Sequence, residues 1–242
     1  MKGQQIAVLA GLALLVAARP ALAFDPYGFL TAQNGDFGLV DLATGAFTLC
    51  GNSGQTLAGL AFGPNGNLYA LSFESGGSTS TLYVVRPRDG NLTAVGTPAI
   101  PSAELYGSSA HGQFAVDSAG DLFSIDPTSA TATKIGPTGV TISGTVGISN
   151  DAAALYLTQG TNFYVVDTKT GAATKLGTGS VSIDAMVMSG KTLIGAAPVP
   201  VTLQKIKPKS GADHLIAEVP GEPSSFQGLI AYPGQNNGVC PP

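Results

Sequence analysis

One short pattern recurs along the chain at nearly constant spacing, and it limits the folds available more than any other feature. It is an apolar or aromatic run ending in a turn: Gly38-Leu39-Val40-Asp41-Leu42-Ala43-Thr44-Gly45, Leu82-Tyr83-Val84-Val85-Arg86-Pro87-Arg88-Asp89-Gly90, and Leu122-Phe123-Ser124-Ile125-Asp126-Pro127-Thr128-Ser129-Ala130. Two more copies end at Gly171 and Gly211, so the turn-closing residues 45, 90, 130, 171 and 211 stand 45, 40, 41 and 40 apart. The longer first interval coincides with the Gly/Ser stretch from Ser75 to Ser80. A fixed period of this length is the mark of a modular architecture.

Each copy has the same grammar. An apolar, β-branched or aromatic run predicts a strand, the Asp/Pro/Thr/Gly cluster supplies the turn, and a Thr-rich strand follows at 47–50, 92–95, 131–135, 173–176 and 214–219. A further strand pair precedes each, seen most clearly in Gly59-Leu60-Ala61-Phe62, the turn Gly63-Pro64-Asn65-Gly66, and Asn67-Leu68-Tyr69-Ala70-Leu71. No helical period is sustained after the first residues. Each unit therefore reads as a four-stranded antiparallel meander. A lone meander of this size leaves both faces open, whereas copies arranged radially bury them against each other. The expected fold is all-β, a five-bladed β-propeller of four-stranded antiparallel blades. Gln227-Gly228-Leu229-Ile230-Ala231-Tyr232 matches an inner strand and Tyr27-Gly28-Phe29-Leu30-Thr31-Ala32 a second strand, so the N- and C-terminal strands are expected to share one blade.

Laid over one another, Leu82-Tyr83-Val84-Val85, Tyr164-Val165-Val166-Asp167-Thr168-Lys169-Thr170-Gly171 and Gly59-Leu60-Ala61-Phe62-Gly63-Pro64-Asn65-Gly66 resemble the NHL-like and YVTN-like β-propeller repeat proteins of exported bacterial type. The resemblance spans residues 24–234 and implies the fold rather than an activity. Trp is absent, which argues against WD-type repeats and against the tryptophan-bearing propellers of quinoprotein dehydrogenases.

Residues 1–23 read as a signal peptide. Lys2 opens it, an apolar run from Ile6 to Ala18 follows, and Ala21-Leu22-Ala23 is a small-residue cleavage site. The run is shorter than a membrane span needs and ends at Arg19-Pro20. The division expected is a signal at 1–23, a propeller domain at 24–234 and a tail at 235–242, in a periplasmic or secreted protein with no stable membrane insertion after cleavage. The chain of 242 residues carries a net charge of -4, and cleavage would remove two cations and no acid, leaving 9 basic against 15 acidic side chains. Such a balance excludes a phosphate-tracking surface, so nucleic acid is not an expected partner.

Two cysteines in an exported chain are compatible with one disulfide, Cys50–Cys240, which would pin the tail over the closing blade. Two unpaired thiols, or attachment to a partner, is the other reading.

Ligands of propellers sit where the inner strands begin, along the axis. Gly59, Glu104, Thr145, Asp184 and Gln227 align near that level. Glu104, His111, Thr145, Asp184 and Gln227 are the ligand-binding candidates. His111 falls in a polar turn, where a solvated imidazole is the simpler reading, and His214 lies on an outer strand. Catalytic residues are not identifiable: no Gly-x-Ser-x-Gly elbow, Walker loop or His-Glu-x-x-His is present. No cofactor or metal ligand set is read from the sequence. The leading expectation is a non-enzymatic scaffold that binds a protein, glycan or small ligand through its loops or channel mouth. The alternative is a propeller hydrolase, lactonase-like or glycan-cleaving, using Glu104 and Asp184. A third is a purely structural module marked by a flat apolar face.

Overall fold

The structure, a computed structural model, describes residues 27–73, 79–198, 200–221, 226–233 and 238–241. The expected signal at 1–23, and residues 75–78 of the Gly/Ser stretch, lie outside the described residues.

All regular structure described is β. Strands β1 (Tyr27–Ala32), β2 (Asp36–Asp41) and β3 (Phe47–Asn52) form an antiparallel meander. So do β4 (Leu57–Phe62), β5 (Leu68–Ser72), β6 (Leu82–Val85) and β7 (Leu92–Gly96). The third meander is β8 (Ala103–Ser109), β9 (Gly112–Asp117), β10 (Asp121–Asp126) and β11 (Thr131–Pro137). Two more follow, β12 (Val146–Asn150) to β13 (Leu155–Gln159), β14 (Asn162–Val166) and β15 (Ala173–Thr178), then β16 (Ala185–Ser189) to β17 (Thr192–Pro198), β18 (Val201–Ile206) and β19 (Asp213–Glu218). These last two join into an eight-stranded sheet through a short parallel pairing of Ser149 with Met186 and Asn150 with Val187. Finally β20 (Phe226–Ala231) pairs antiparallel with β1, matching Gly28 with Ala231 and Leu30 with Leu229. The first sheet thus takes strands from both ends of the described chain.

The recurrent turns explain the period. In the β2–β3 turn the Asp41 carboxylate accepts hydrogen bonds from the Ala43 and Thr44 amides, and the Gly45 amide closes back on the Asp41 carbonyl at 2.8 Å. Asp126 and Asp167 accept from amides two residues on in the same way. Residues 45, 90, 130, 171 and 211 all have positive φ, which Gly adopts without penalty and Ala130 does not.

Apolar residues of the meanders gather into clusters, each held between two meanders. Phe29, Phe37 and Leu39 pack with Leu60, Leu68 and Val85; Tyr69, Leu71 and Leu82 with Tyr106, Ala115 and Phe123; Phe114 and Leu122 with Leu155 and Leu157. Phe163 packs with Met186, Leu193 and Ile206, and Ile194 and Leu203 pack with Leu30, Val40 and Leu229. Alternation accounts for this, because the inner strands bury residues on both faces of their sheets.

The outer strands share a device that the sequence reading did not anticipate. Pairing skips one residue at the same place in each of them: Cys50 in β3, Val95 in β7, Ile135 in β11, Leu176 in β15 and Ile216 in β19. A bulge of this kind adds twist and re-aims one side chain. Here each skipped side chain packs against a different cluster.

Cys50 and Cys240 form a disulfide, with Cα atoms 5.6 Å apart. Cys50 sits at the bulge within β3 rather than at the strand's end. Thr48 donates through its hydroxyl to the Gly238 carbonyl at 3.2 Å, so the tail is held along β3 at two points.

Candidate functional site

The inner strands β4, β8, β12, β16 and β20 touch one another in the cyclic order β4, β8, β12, β16, β20 and back to β4. Close approach depends on residues without side chains. A Cβ added to Gly59 would overlap the Tyr106 carbonyl oxygen, and one added to Gly228 would lie 2.9 Å from the Leu60 nitrogen.

Where these strands begin, pairing again skips single residues: Ala58 opposite β5, Glu104 opposite β9 and Gln227 opposite β1. Counting from Gly59, Leu105, Gly147, Ala185 and Gly228 as equivalent positions, the preceding residues are Ala58, Glu104, Val146, Asp184 and Gln227. This register differs by one residue from the sequence alignment at Gly59 and at Thr145. Because side chains alternate between faces, one step changes which wall a residue joins.

A cavity of about 160 Å³ at this end is lined by Glu104, Val146, Asp184 and Gln227 together with Gln33, Thr56 and Phe73. The structure thus brings Glu104, Asp184 and Gln227 to one place. Thr145 lies instead in a neighbouring open groove with Ser180, Thr202 and His214. His111 is exposed past the far end of β8, beside Asp167 and Lys169. Gln33 and Thr56 were not found by sequence reasoning; both sit in loops, and only the Thr56 hydroxyl's bond to the Gln33 carbonyl at 2.8 Å reveals that these loops meet.

The two carboxyls of the cavity share an electrostatic trait. Asp184 is 9% exposed, and its carboxyl makes no hydrogen bond among the described residues. Burial alone pushes its pKa up to about 7. Burial also raises the pKa of Glu104. Among the described residues neither acid has a cation beside it, so each would gain from a positively charged group entering the cavity. Among the described residues, no three His, Cys, Asp or Glu side chains come together as a metal-holding group.

The opposite ends of the inner strands are tied by buried polar groups. Ser108 donates to Asn150 Oδ1 at 3.1 Å, and Asn150 donates through Nδ2 to the Leu229 carbonyl at 2.9 Å. The fully buried Tyr106 donates its hydroxyl to Gln113, whose Nε2 reaches the Phe62 carbonyl at 2.9 Å. These bonds connect β12 to β20 past β16, and β9 to β4. At the Glu104 end, by contrast, the inner strands leave an accessible cavity.

No helix among the described residues is long and apolar enough to cross a membrane. No family model matches the chain, and no curated protein matches it. A solved structure that does match is described as "Crystal structure of Nidogen/Laminin Complex"; the superposition has a TM-score of 0.58 at 13% identity, covering 85% of this chain and 98% of that one. At this identity the likeness is one of fold, and the fold is of the β-propeller kind.

Proposed function

We propose that the chain is an exported five-bladed β-propeller that serves as a non-enzymatic binding scaffold, engaging a partner at its axial mouth. Five blades of four strands are supported by the cyclic contact of the inner strands and by the five core clusters, one between each pair of successive meanders. Resemblance to NHL-like and YVTN-like repeats agrees with this arrangement. Export to the periplasm or beyond rests on the signal-like residues 1–23 and is compatible with the disulfide.

The observation that carries the functional reading is the size and charge of the axial cavity. At about 160 Å³ it is smaller than the roughly 300–1,000 Å³ of ordinary small-molecule sites, so it suits one side chain of a larger partner. Asp184 and Glu104, both without cations, select a basic one. The matching chain from a protein–protein complex is consistent with a protein-binding role.

The hydrolase alternative is favoured by the same two carboxyls sharing one cavity. A division of acid and base roles would need one carboxyl held ionised by a donor or a cation, and neither has such a partner among the described residues. The binding reading uses both groups as they stand.

The test is a titration of the disulfide-intact protein with the probe acetyl-Gly-Lys-Gly-amide, followed by backbone amide NMR at pH 6 and pH 8. Shifts confined to Gln33, Thr56, Val146 and Gln227, stronger at pH 8 and lost in Asp184→Asn, support the reading. No site-specific shift at millimolar probe, or an equal response from acetyl-Gly-Gln-Gly-amide, overturns it.

A further inference from the structure

A second cavity, on the face opposite the axial mouth, has the contrary chemistry. It encloses about 370 Å³ where the ends of β4 and β20 approach the β6–β7 turn. Its apolar lining is aromatic: buried Phe29 lies 5.3 Å from Tyr232 in an edge-on contact and 6.4 Å from Phe62, ring centre to ring centre. The disulfide-tethered tail contributes Pro241 as a further wall.

Its charge is the unusual part. The whole sequence holds only three arginines, and two of them, Arg86 and Arg88, line this cavity on an otherwise acidic protein. Asp89 is the counter-charge. It takes Arg86 through both carboxylate oxygens, one of them accepting from Nε at 2.8 Å, and stands 3.5 Å from Arg88 Nε. One carboxylate against two guanidinium groups leaves a net positive charge, and the terminal nitrogens of Arg88 make no hydrogen bond among the described residues. A guanidinium presents paired donors whose geometry matches a carboxylate. Among the described residues the lining otherwise offers rings and prolines, with the Tyr232 hydroxyl its one neutral polar side-chain group. A sugar would need several neutral hydrogen-bonding groups to read its hydroxyls; an apolar body needs only the rings.

We propose that this cavity binds a carboxylate borne on an apolar body, the anion on Arg88 with Arg86 beside it and the body against Phe62 and Tyr232. The free acid of a small molecule and the C-terminal residue of a peptide share that chemistry. This site is independent of the axial mouth and stands or falls without it.

The experiment uses the disulfide-intact protein, with N-acetylphenylalanine as probe and N-acetylphenylalaninamide as its uncharged twin, read by calorimetry and by amide NMR at Arg86, Arg88, Asp89, Gly90 and Tyr232. Expected are binding of the acid with shifts at those residues, at least tenfold weaker binding of the amide, and a similar loss in Arg88→Gln. Arg88 is half exposed, so that variant should fold, and an unchanged circular dichroism spectrum and melting temperature verify it. Arg88→Lys, which keeps the charge and loses the paired donors, should fall between. A second arm compares a pentapeptide ending in a free Phe carboxylate with its C-terminal amide. Tighter binding of the peptide than of the free acid assigns the site to chain termini, and the reverse assigns it to small acids; both support the proposal. Equal affinity of acid and amide, no binding at millimolar probe, or full binding by Arg88→Gln overturns it.

Discussion

Asn150 on β12 donates through Nδ2 to the carbonyl oxygen of Leu229 on β20 at 2.9 Å, joining residues 79 apart in sequence, while its Oδ1 accepts from Ser108. Both functions of the amide are used at a fully buried position. Asn150→Ala would leave the Ser108 hydroxyl only its longer bond to the Asp151 carboxylate at 3.4 Å and remove a donor from the Leu229 carbonyl. Removing one partner from a buried hydrogen bond costs about 1–3 kcal/mol. Urea denaturation should show a loss in that range with an unchanged slope, and Asn150→Asp should cost at least as much, because a carboxylate cannot donate to a carbonyl. Wild-type stability in both variants would show that the bridge carries no load.

The Cys50–Cys240 bond closes a loop over a sequence separation of 190. By chain-entropy arithmetic such a closure contributes up to about 5 kcal/mol, and measured values for native disulfides run from about 2 to 5. The paired variant Cys50→Ser/Cys240→Ser should therefore unfold at markedly lower urea, and reductant should shift the wild type to the same midpoint. Limited proteolysis gives a local readout: the tail beyond Tyr232, held to β3 by the disulfide and the Thr48 bond, should be cut first in the variant.

What could be read from the residues and what could not divide along a physical line. Strands and turns announce themselves locally, because Asp41, Asp126 and Asp167 cap their own turns and Gly45, Ala130 and Gly171 close them. The period and the pairing of the two terminal strands followed from that. Bulges are different. Whether Glu104 or Gln227 is skipped by its partner depends on the opposing strand, and nothing in either segment marks it, so Thr145 was placed level with them when Val146 occupies that position. The outer bulges at Cys50, Val95, Ile135, Leu176 and Ile216 do have a signal in retrospect: an apolar residue followed by Gly or Ala. Gln33, Thr56, Arg86 and Tyr232 come from loops and strand ends, whose meeting is a tertiary fact.

Gly59 tests how tightly the inner strands pack. Its φ is +153°, and an added Cβ would overlap the Tyr106 carbonyl oxygen and stand 2.9 Å from the carbonyl carbon. The obstacle is backbone on the neighbouring sheet and not the end of a flexible side chain, so a rotamer change gives no relief. Gly59→Ala must push β4 away from β8 and should destabilise by about 3 kcal/mol or more, at the upper end of overpacking costs. Ala58→Gly, one residue away, removes a buried methyl without this clash and should cost about 1 kcal/mol. Thermal melts of the two variants compare these costs directly, and a Gly59→Ala variant as stable as the wild type would place the strands farther apart than described.

Asp184 makes stability depend on pH in a direction opposite to that of an ion-paired carboxylate. Its pKa is 3.8 when unfolded and about 7 when folded. The folded state therefore holds a proton that the unfolded state has lost between these values, and stability falls as pH rises through that interval. Below about pH 4 both states are protonated and Asp184 costs nothing; above about pH 7 the full penalty applies and the curve flattens. A shift of this size corresponds to a penalty of about 4 kcal/mol. Asp184→Asn keeps the shape and removes the ionisation. It should match the wild type near pH 4 and exceed it progressively up to pH 8, as read from urea midpoints across that range. A parallel pair of curves would mean that Asp184 is solvated in the folded protein, and the case for a cation-seeking axial mouth would lose its electrostatic basis.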